Sequence, residues 1–155
     1  DQLWNVRQIC ATWHAFAAIL ADGNVVTWGS PYDGGDSSGV QHRLSNVQHV
    51  CATGAAFAAI VTDGSVVTWG DQIDGGDSDG VQTQLRNVQQ ICATSSAFAA
   101  LLADGRVVTW GSADDGGDSS QVQGQLRNVQ QIHATTDPGQ QSYHHHGPVC
   151  PRSQH

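Results

Sequence analysis

A sequence unit of 41 residues occurs three times in succession in this chain, and a fourth copy begins after them. The pair Asn-Val opens every copy, at Asn5, Asn46, Asn87 and Asn128. A fixed period of about 20–50 residues is typical of repeat proteins, in which each unit buries its apolar face against its neighbours. The sequence therefore predicts one repeat domain over residues 1–135 that acts through an extended surface. Its units are residues 5–45, 46–86 and 87–127 and the partial unit 128–135.

The first half of each unit has the composition of β-strands. In the first unit, residues 5–12 have apolar positions spaced for a half-buried strand, and residues 15–21 form a continuous apolar run. The alanines in that run also allow a helix. An Asp-Gly pair and the β-branched and aromatic residues 25–28 follow, so a hairpin is the preferred interpretation. The predicted turn residues are Asp22 and Gly23, Asp63 and Gly64, and Asp104 and Gly105.

The second half of each unit is polar and rich in turn-forming residues. Residues 33–38 read Asp-Gly-Gly-Asp-Ser-Ser, and closely similar loops follow at 74–79 and 115–120. Residues 40–44 come next and predict either a short outer strand or a single turn. Three clear strands and one weak one per unit are the content of a small propeller blade. After the repeats, residues 136–155 break the period with a polar run that we expect to be a disordered tail.

A segment that combines the apolar run, the Asp-Gly turn and a final Val-Val-Thr-Trp-Gly recurs at residues 16–29, 57–70 and 98–111. This segment resembles the blade signature of the regulator of chromosome condensation repeat family, in its short and uniform tandem-array variety. The resemblance implies an all-β protein of propeller-type blades that binds proteins, and in the founding member it implies nucleotide exchange on a small GTPase. We expect an open arc of three blades and a partial fourth, because three blades cannot close the seven-bladed ring that is common in the family. A pseudo-threefold β-trefoil or β-prism is the alternative fold.

Three departures from the family pattern bear on function. The family usually places histidine seven residues before the turn aspartate, where this chain has Ala15, Ala56 and Ala97. Its loop after Trp-Gly tends to read Gly-Gln-Leu-Gly, whereas the loops here read Gly-Gly-Asp-Ser, and no inserted wedge of the exchange-factor kind is present. The resemblance therefore extends to the fold and not to the exchange activity.

The charge balance argues against several classes of partner. The chain has no lysine and no glutamate, and its arginines and aspartates give a formal net charge of −8. Binding to a phosphate backbone requires a basic surface, so we expect no nucleic-acid partner. No apolar run approaches the roughly 20 residues of a membrane span, so we expect no membrane insertion. The first residue is Asp1 rather than methionine, which suggests a piece of a longer repeat protein.

One phenylalanine and one tryptophan recur in every unit, at positions where a blade usually packs aromatic rings between neighbours. We predict that they are core residues, and an exposed aromatic platform for sugar rings is the alternative. Trp4 and Trp13 have no counterparts in the other units, which marks the first unit as different and suits a capping role. The predicted core residues are Phe16, Phe57, Phe98, Trp28, Trp69 and Trp110.

Cysteine recurs at one repeat position, as Cys10, Cys51 and Cys92, and His133 takes that position in the fourth copy. Three thiols and an imidazole suit zinc in principle. However, equivalent positions in successive blades lie along an arc, and no Cys-x-x-Cys pair is present. Cysteine is also among the residues most often buried. We therefore predict buried thiols, and neither a metal site nor a cofactor.

Six aspartates in the Gly-rich loops are the candidate partner-binding residues. Two carboxylates three residues apart suit a hard cation in principle, but their spacing matches no calcium-binding motif. Such residues also serve in ordinary solvated turns. If the loops lie along one rim, they form an acidic edge that faces a basic partner. The candidates are Asp33, Asp36, Asp74, Asp77, Asp115 and Asp118.

No catalytic set is apparent in the sequence, since near-identical units supply few unlike residues for one site. We predict that the protein is not an enzyme but an interaction or scaffold module, either a piece of a longer repeat protein or an accessory subunit of a larger complex. Its partner would be another protein, or a second copy bound through exposed repeat ends. The alternatives are a lectin-like carbohydrate-binding module and a substrate-recruiting fragment of a ubiquitin-ligase-like parent.

Overall fold

A computed structural model describes residues 5–134 of the chain. They form three antiparallel sheets of three strands each, and each sheet corresponds to one 41-residue unit. The three sheets form an open arc of propeller-type blades, which confirms the predicted fold class and excludes the β-trefoil and β-prism alternatives. The strands are β1 Val6–Ala11, β2 Ala15–Leu20, β3 Val25–Gly29, β4 Val47–Ala52, β5 Ala56–Val61, β6 Val66–Gly70, β7 Val88–Ala93, β8 Ala97–Leu102 and β9 Val107–Gly111.

The apolar run and the segment after it form a hairpin in each blade. Phe16 in β2 lies opposite Trp28 in β3, and the two rings stack with their centroids 5.4 Å apart. The turn between the strands includes Gly23, whose φ of 85° has no steric cost for glycine. The carboxylate of Asp22 accepts a hydrogen bond from the main-chain N–H of Asn24 at 3.0 Å and closes the turn. The helical alternative for the alanine-rich run is wrong, because this run pairs with a strand on each side.

The outer edge of each blade is covered by a polar segment and not by a fourth strand. In the first blade the Thr27 hydroxyl in β3 hydrogen-bonds to the Ser37 hydroxyl at 2.8 Å. The side-chain amide of Gln41 donates to the main-chain carbonyl of Val25 at 2.9 Å, in a 3₁₀ turn that begins at Gln41. These side chains satisfy polar groups at the edge of β3. The outer strand considered for this segment is therefore absent, and the alternative of a single turn is correct.

A recurring asparagine leads the chain from one blade into the next. Asn46 has a φ of 56°, a left-handed conformation that asparagine tolerates better than most residues. The next residue, Val47, donates its main-chain N–H to the carbonyl of Gly23 at 2.9 Å and so ties the second blade to the turn of the first. A Cβ atom on Gly23 would lie 3.0 Å from the Cα atom of Asn46, which explains the glycine at this position.

The apolar core lies at the junctions between blades. One cluster of buried residues joins the first two blades and includes Ile19, Phe57 and Trp69. A second cluster joins the second and third blades and includes Phe98 and Trp110. Each blade is therefore stabilised by its neighbour, as expected for a repeat protein.

Residues 128–134 contain no strand, but they occupy the place of the first strand of a fourth blade. The Gln90 side chain donates to the main-chain carbonyl of Ile132 at 3.3 Å, as the Gln8 side chain donates to that of Val50 at 3.1 Å. The tail predicted for residues 136–155 and Trp4 lie outside the described residues. Between residues 5 and 134, no helix is long and apolar enough to cross a lipid bilayer.

Candidate interaction surfaces

Each junction between blades is built around a tryptophan, a phenylalanine and a glycine. Trp69 of the second blade donates its indole N–H to the main-chain carbonyl of Gly34 in the first blade at 3.1 Å. A Cβ atom on Gly34 would lie 2.5 Å from the ring of Phe57, so the ring packs directly on the glycine. Gly34 also has a φ of 100°, which other residues adopt only with strain. The residues that repeat this arrangement at the second junction are Gly75, Phe98 and Trp110.

No blade precedes the first one among the described residues, and the aromatic pair of the first blade is open to solvent. Phe16 is 43% exposed and Trp28 is 36% exposed, whereas Phe57 is 0% and Trp69 is 5% exposed. The core position predicted for Phe16 and Trp28 is therefore wrong, although their counterparts in the other two blades are buried. The physical reason is that, in the other two blades, this pair of rings is buried against the preceding blade and not within its own sheet.

A third apolar residue extends the open surface along β1. Ile9 is 55% exposed, whereas Val50 and Ile91 at the same repeat position are each 1% exposed. We call the surface formed by Ile9, Phe16 and Trp28 the leading face. Contiguous exposed apolar surfaces of this kind mark interaction sites in folded proteins.

Trp13, for which the sequence predicts a capping role, is not part of the leading face. Its side chain is 52% exposed, but its indole ring lies against Gly54 of the second blade, where a Cβ atom would come within 2.7 Å of the ring. The main-chain N–H of Trp13 donates to the carbonyl of Gly54 at 2.9 Å. Trp13 therefore stabilises the junction between the first and second blades and does not cap a free end.

The opposite end of the arc carries the glycine half of the same junction. Gly116 corresponds to Gly34 and Gly75 and has the same left-handed backbone, with a φ of 106°. Unlike them it is exposed, and no atom of the described chain lies within 4 Å of the position that a Cβ would take. We call Asp115, Gly116 and Gly117 the trailing loop.

Three of the six candidate aspartates take the same place in successive blades, where a threonine hydroxyl donates to the main-chain carbonyl of each. Partial burial raises the pKa of Asp74 above its usual value, and the negative charge of Asp71 raises it further. Asp115 and Asp33 of the neighbouring blades act in the same direction, while a hydrogen bond with Ser96 opposes them. Like charges have this effect on a pKa only when they lie close to the group. We call Asp33, Asp71, Asp74 and Asp115 the acidic row.

Threonine hydroxyls fix the backbone of the acidic row. The Thr53 hydroxyl donates to the main-chain carbonyl of Asp74 at 2.9 Å and accepts the main-chain N–H of Ala56 at 3.0 Å. Thr53 is 0% exposed, so the row is attached to the buried end of a strand and not to a loose loop. The equivalent pairs are Thr12 with Asp33 and Thr94 with Asp115, each at 2.9 Å.

His14 adds an imidazole ring at the first position of the row. Its Nδ1 lies 2.8 Å from a carboxylate oxygen of Asp33, and its side chain is largely exposed. The corresponding residues in the other units are Ala55 and Ser96. The repeat pattern gave no signal for His14, because the period points only to residues that recur and this histidine does not.

The other three candidate aspartates hold their own loops. The carboxylate of Asp36 accepts the main-chain N–H of Ser38 at 2.9 Å, which is a common role of aspartate in turns. Hydrogen bonds from the side chain and the main chain of Ser38 lower the pKa of Asp36. The structure therefore divides the six candidates into an acidic row and a set of turn residues. The equivalent turn pairs are Asp77 with Asp79 at 2.9 Å and Asp118 with Ser120 at 3.0 Å.

The three recurring cysteines lie in three different blades. Cys10 and Cys51 are buried, and Cys92 is partly buried and donates its thiol to the carbonyl of Ile132 at 3.4 Å. Within residues 5–134, no group of three or more potential ligands is placed to hold a metal ion. For the whole chain, the absence of a metal site stays a prediction.

Comparison with known proteins gives structural matches only. No family model and no curated protein matches the chain. Two structures of Prp20 from Saccharomyces cerevisiae do match. Prp20p has a TM-score of 0.52 at 20% identity, covering 68% of this chain and 30% of its own. Yeast RCC1 (Prp20) bound to Kap60 has a TM-score of 0.52 at 19% identity, covering 86% of this chain and 36% of its own.

The chain has an RCC1-like repeat fold. This result confirms the fold predicted from the blade signature. A structure of human WBSCR16 also matches, with a TM-score of 0.49 at 21% identity, covering 68% of this chain and 33% of its own. The chain spans about a third of the length of these structures, so the likeness concerns the fold.

Proposed function

We propose that this chain is a non-catalytic protein-interaction module, in which the leading face holds a protein partner and the acidic row attracts and orients basic protein segments. The observation that carries the proposal is the exposure of Phe16 and Trp28. The same pair of rings, as Phe57 and Trp69, is buried against protein elsewhere in the chain. A surface with this shape gains free energy when protein atoms replace the water that covers it.

The residue types of the leading face suit protein binding. Aromatic side chains supply much of the binding energy at protein interfaces, and tryptophan is enriched among the residues that matter most. Trp28 also has an indole N–H, and its counterpart Trp69 uses that group to bind a main-chain carbonyl. Ile9 and Phe16 add apolar area beside it. The leading face therefore combines apolar burial with one directional hydrogen-bond donor.

The acidic row supplies long-range attraction for a basic partner. Its carboxylates lie on a chain with a formal net charge of −8, so the surrounding charge reinforces their field. Complementary charge of this kind speeds association and fixes orientation more than it raises affinity. Salt screens the attraction, which makes the effect measurable.

Proteins that share the fold bind other proteins. The Prp20p structure is described together with binding to Gsp1p and histones, and the second Prp20 structure includes Kap60. These partners belong to Prp20, and at this identity they support protein binding for this chain only as a general use of the fold. A place within a larger complex is part of the same proposal. In a longer repeat protein, a preceding blade would be the partner that covers the leading face. The lectin-like alternative drew on threefold closure, which the open arc lacks, and on an exposed aromatic platform, for which the sugar control below provides the test.

Capture from a lysate of the source organism tests the role of the leading face. The immobilised chain is compared with the double variant Phe16→Ser/Trp28→Ser and with Tyr32→Ser, because Tyr32 is 82% exposed and lies outside the leading face. We expect the double variant to lose proteins that the wild type and Tyr32→Ser both retain. Identical captured sets for all three, or retention of simple sugars without any protein, would contradict the proposal.

A basic peptide tests the role of the acidic row separately. Association of an arginine-rich peptide is measured at low and high salt with two triple variants that remove the same number of charges. We expect neutralisation of the row to slow association and to flatten its salt dependence, and neutralisation of the turn residues to do so less. Equal effects would show that only net charge matters. The variants are Asp33→Asn, Asp74→Asn and Asp115→Asn together, and Asp36→Asn, Asp77→Asn and Asp118→Asn together.

A further inference from the structure

The two open ends of the arc are the two halves of one junction. We infer that the leading face of one copy of this chain binds the trailing loop of a second copy, head to tail, with the contacts that join successive blades. This inference rests on the proposed function and names the occupant of the leading face. The second copy has the same net charge of −8, so the apolar contacts hold it and the acidic row serves a different, basic partner. The junctions inside the chain support this inference, because the same tryptophan and glycine surfaces bind each other at both junctions within residues 5–134.

The equivalence of repeat positions predicts which residues of the two copies would be in contact. Shifting Phe57 and Trp69 back by one unit gives Phe16 and Trp28, and shifting Gly75 forward by one unit gives Gly116. In a head-to-tail pair, the indole N–H of Trp28 would therefore donate to the carbonyl of Gly116. The Phe16 ring would lie on Gly116, where the described chain leaves the space empty.

The chemistry of the two surfaces matches that of the internal junctions. The segment Val-Val-Thr-Trp-Gly is identical in the three units, and so is the loop sequence Asp-Gly-Gly-Asp-Ser. The trailing loop also has the backbone needed, since the φ of Gly116 is 106° and that of Gly75 is 105°. No rearrangement of either surface is required for the hairpin of β2 and β3 to dock.

Strand β1 of the docked copy would compete with residues 128–134 of the first copy for the same position. Residues 128–134 already lie beside β7, where Ile132 accepts a hydrogen bond from Gln90. Ile9 of the second copy corresponds to Ile132 and would take the same place. Docking therefore displaces residues 128–134, and β1 of the second copy takes their place. Residues 128–134 contain no strand, whereas β1 is already paired with β2. The exchange also covers Ile9, which is otherwise 55% exposed.

The contact joins two different surfaces, so it does not close on itself in a dimer. Each added copy leaves one leading face and one trailing loop open, and such heterologous contacts build chains or rings. This property separates the inferred contact from a symmetric dimer, in which both copies would bury the same apolar face.

Sedimentation velocity of the purified chain of residues 1–155 over a range of concentrations tests the inference. We expect the wild type to form dimers and larger species as the concentration rises. Trp28→Ser removes one half of the contact and Gly116→Ala the other, so each alone should stay monomeric. Tyr32→Ser should associate as the wild type does. A wild type that is monomeric throughout, or unchanged association of either interface variant, would overturn the inference.

Mixing the two variants gives the sharpest result. Trp28→Ser retains an intact trailing loop and Gly116→Ala retains an intact leading face, so together they can form one contact and no more. We expect a dimer that does not grow further. Absence of the mixed dimer, with each variant shown to be folded by circular dichroism, would overturn the head-to-tail geometry. A monomeric wild type would leave the lysate capture intact, so failure of this inference is distinguishable from failure of the proposed function.

Discussion

The indole N–H of Trp69 donates to the main-chain carbonyl of Gly34, a residue 35 positions earlier in the chain and in the preceding blade, at 3.1 Å. This one hydrogen bond explains why both residues recur. The tryptophan needs a carbonyl from outside its own sheet, and the glycine must leave room for the Phe57 ring that packs beside it. A unit of this protein is therefore complete only when the previous unit is in place.

Truncation of the recurring phenylalanine should have a cost that depends on the blade. Phe57→Ala removes a ring that is 0% exposed, and we expect a loss of about 3–5 kcal/mol in the free energy of unfolding. Phe16→Ala removes the same ring from a 43% exposed position, and we expect roughly half that loss or less. Denaturant melts of the two variants measure the difference. Equal losses would show that the leading face is covered in solution.

Three glycine-to-alanine substitutions should separate steric clash from backbone strain. Gly34→Ala places a Cβ 2.5 Å from the Phe57 ring at a φ of 100°, and we expect a loss of roughly 2–5 kcal/mol. Gly116→Ala has the strain without a neighbour, and we expect about 1–3 kcal/mol. Gly39→Ala has neither and should change stability by about 0.5 kcal/mol at most.

Denaturant melts of these three variants also show which of the two effects dominates. If Gly34→Ala costs no more than Gly116→Ala, the contact between the Phe57 ring and the glycine does not limit the fold. In that case backbone strain alone would explain why glycine recurs at this position.

Local features of the sequence predicted local features of the structure. The Asp-Gly pair and the Val-Val-Thr-Trp-Gly segment fix the hairpin, and the period fixes the number of blades. Burial could not be predicted in this way, since Phe16 and Phe57 have nearly the same neighbours in sequence and differ only in the blade that stands before them. Similarly, Asp33 and Asp36 belong to one loop, and only the meeting of successive blades places the first in the acidic row.

Removal of a buried hydroxyl should loosen the attachment of the acidic row. Thr53→Val leaves the carbonyl of Asp74 and the N–H of Ala56 without this partner at a 0% exposed site. We expect a loss of about 1–3 kcal/mol in the free energy of unfolding. Thr94→Val is the matched control, because it makes the equivalent bonds at a less buried position, where water can replace them. A loss as large for Thr94→Val would contradict the role of burial.

Loss of the charge of Asp74 and loss of the charge of Asp36 should change the stability of the fold in opposite directions. Burial and neighbouring carboxylates raise the pKa of Asp74 above 3.8, so its contribution to stability is complete below the unfolded pKa and is lost as the pH rises through the folded one. Hydrogen bonds from Ser38 lower the pKa of Asp36, so its contribution is present above the unfolded pKa and is lost as the pH falls through the folded one.

Thermal melts of the variants Asp74→Asn and Asp36→Asn at two pH values test this difference. At pH 7 the charged form of Asp74 is unfavourable, so we expect Asp74→Asn to raise the midpoint of unfolding above that of the wild type. Asp36→Asn should lower the midpoint at pH 7, because it removes a carboxylate that the fold favours. As the pH falls through the folded pKa of each group, that aspartate becomes protonated, and both differences should shrink. A lowered midpoint for Asp74→Asn at pH 7 would contradict the proximity of charges in the acidic row, and a raised midpoint for Asp36→Asn would contradict the role of its hydrogen bonds with Ser38.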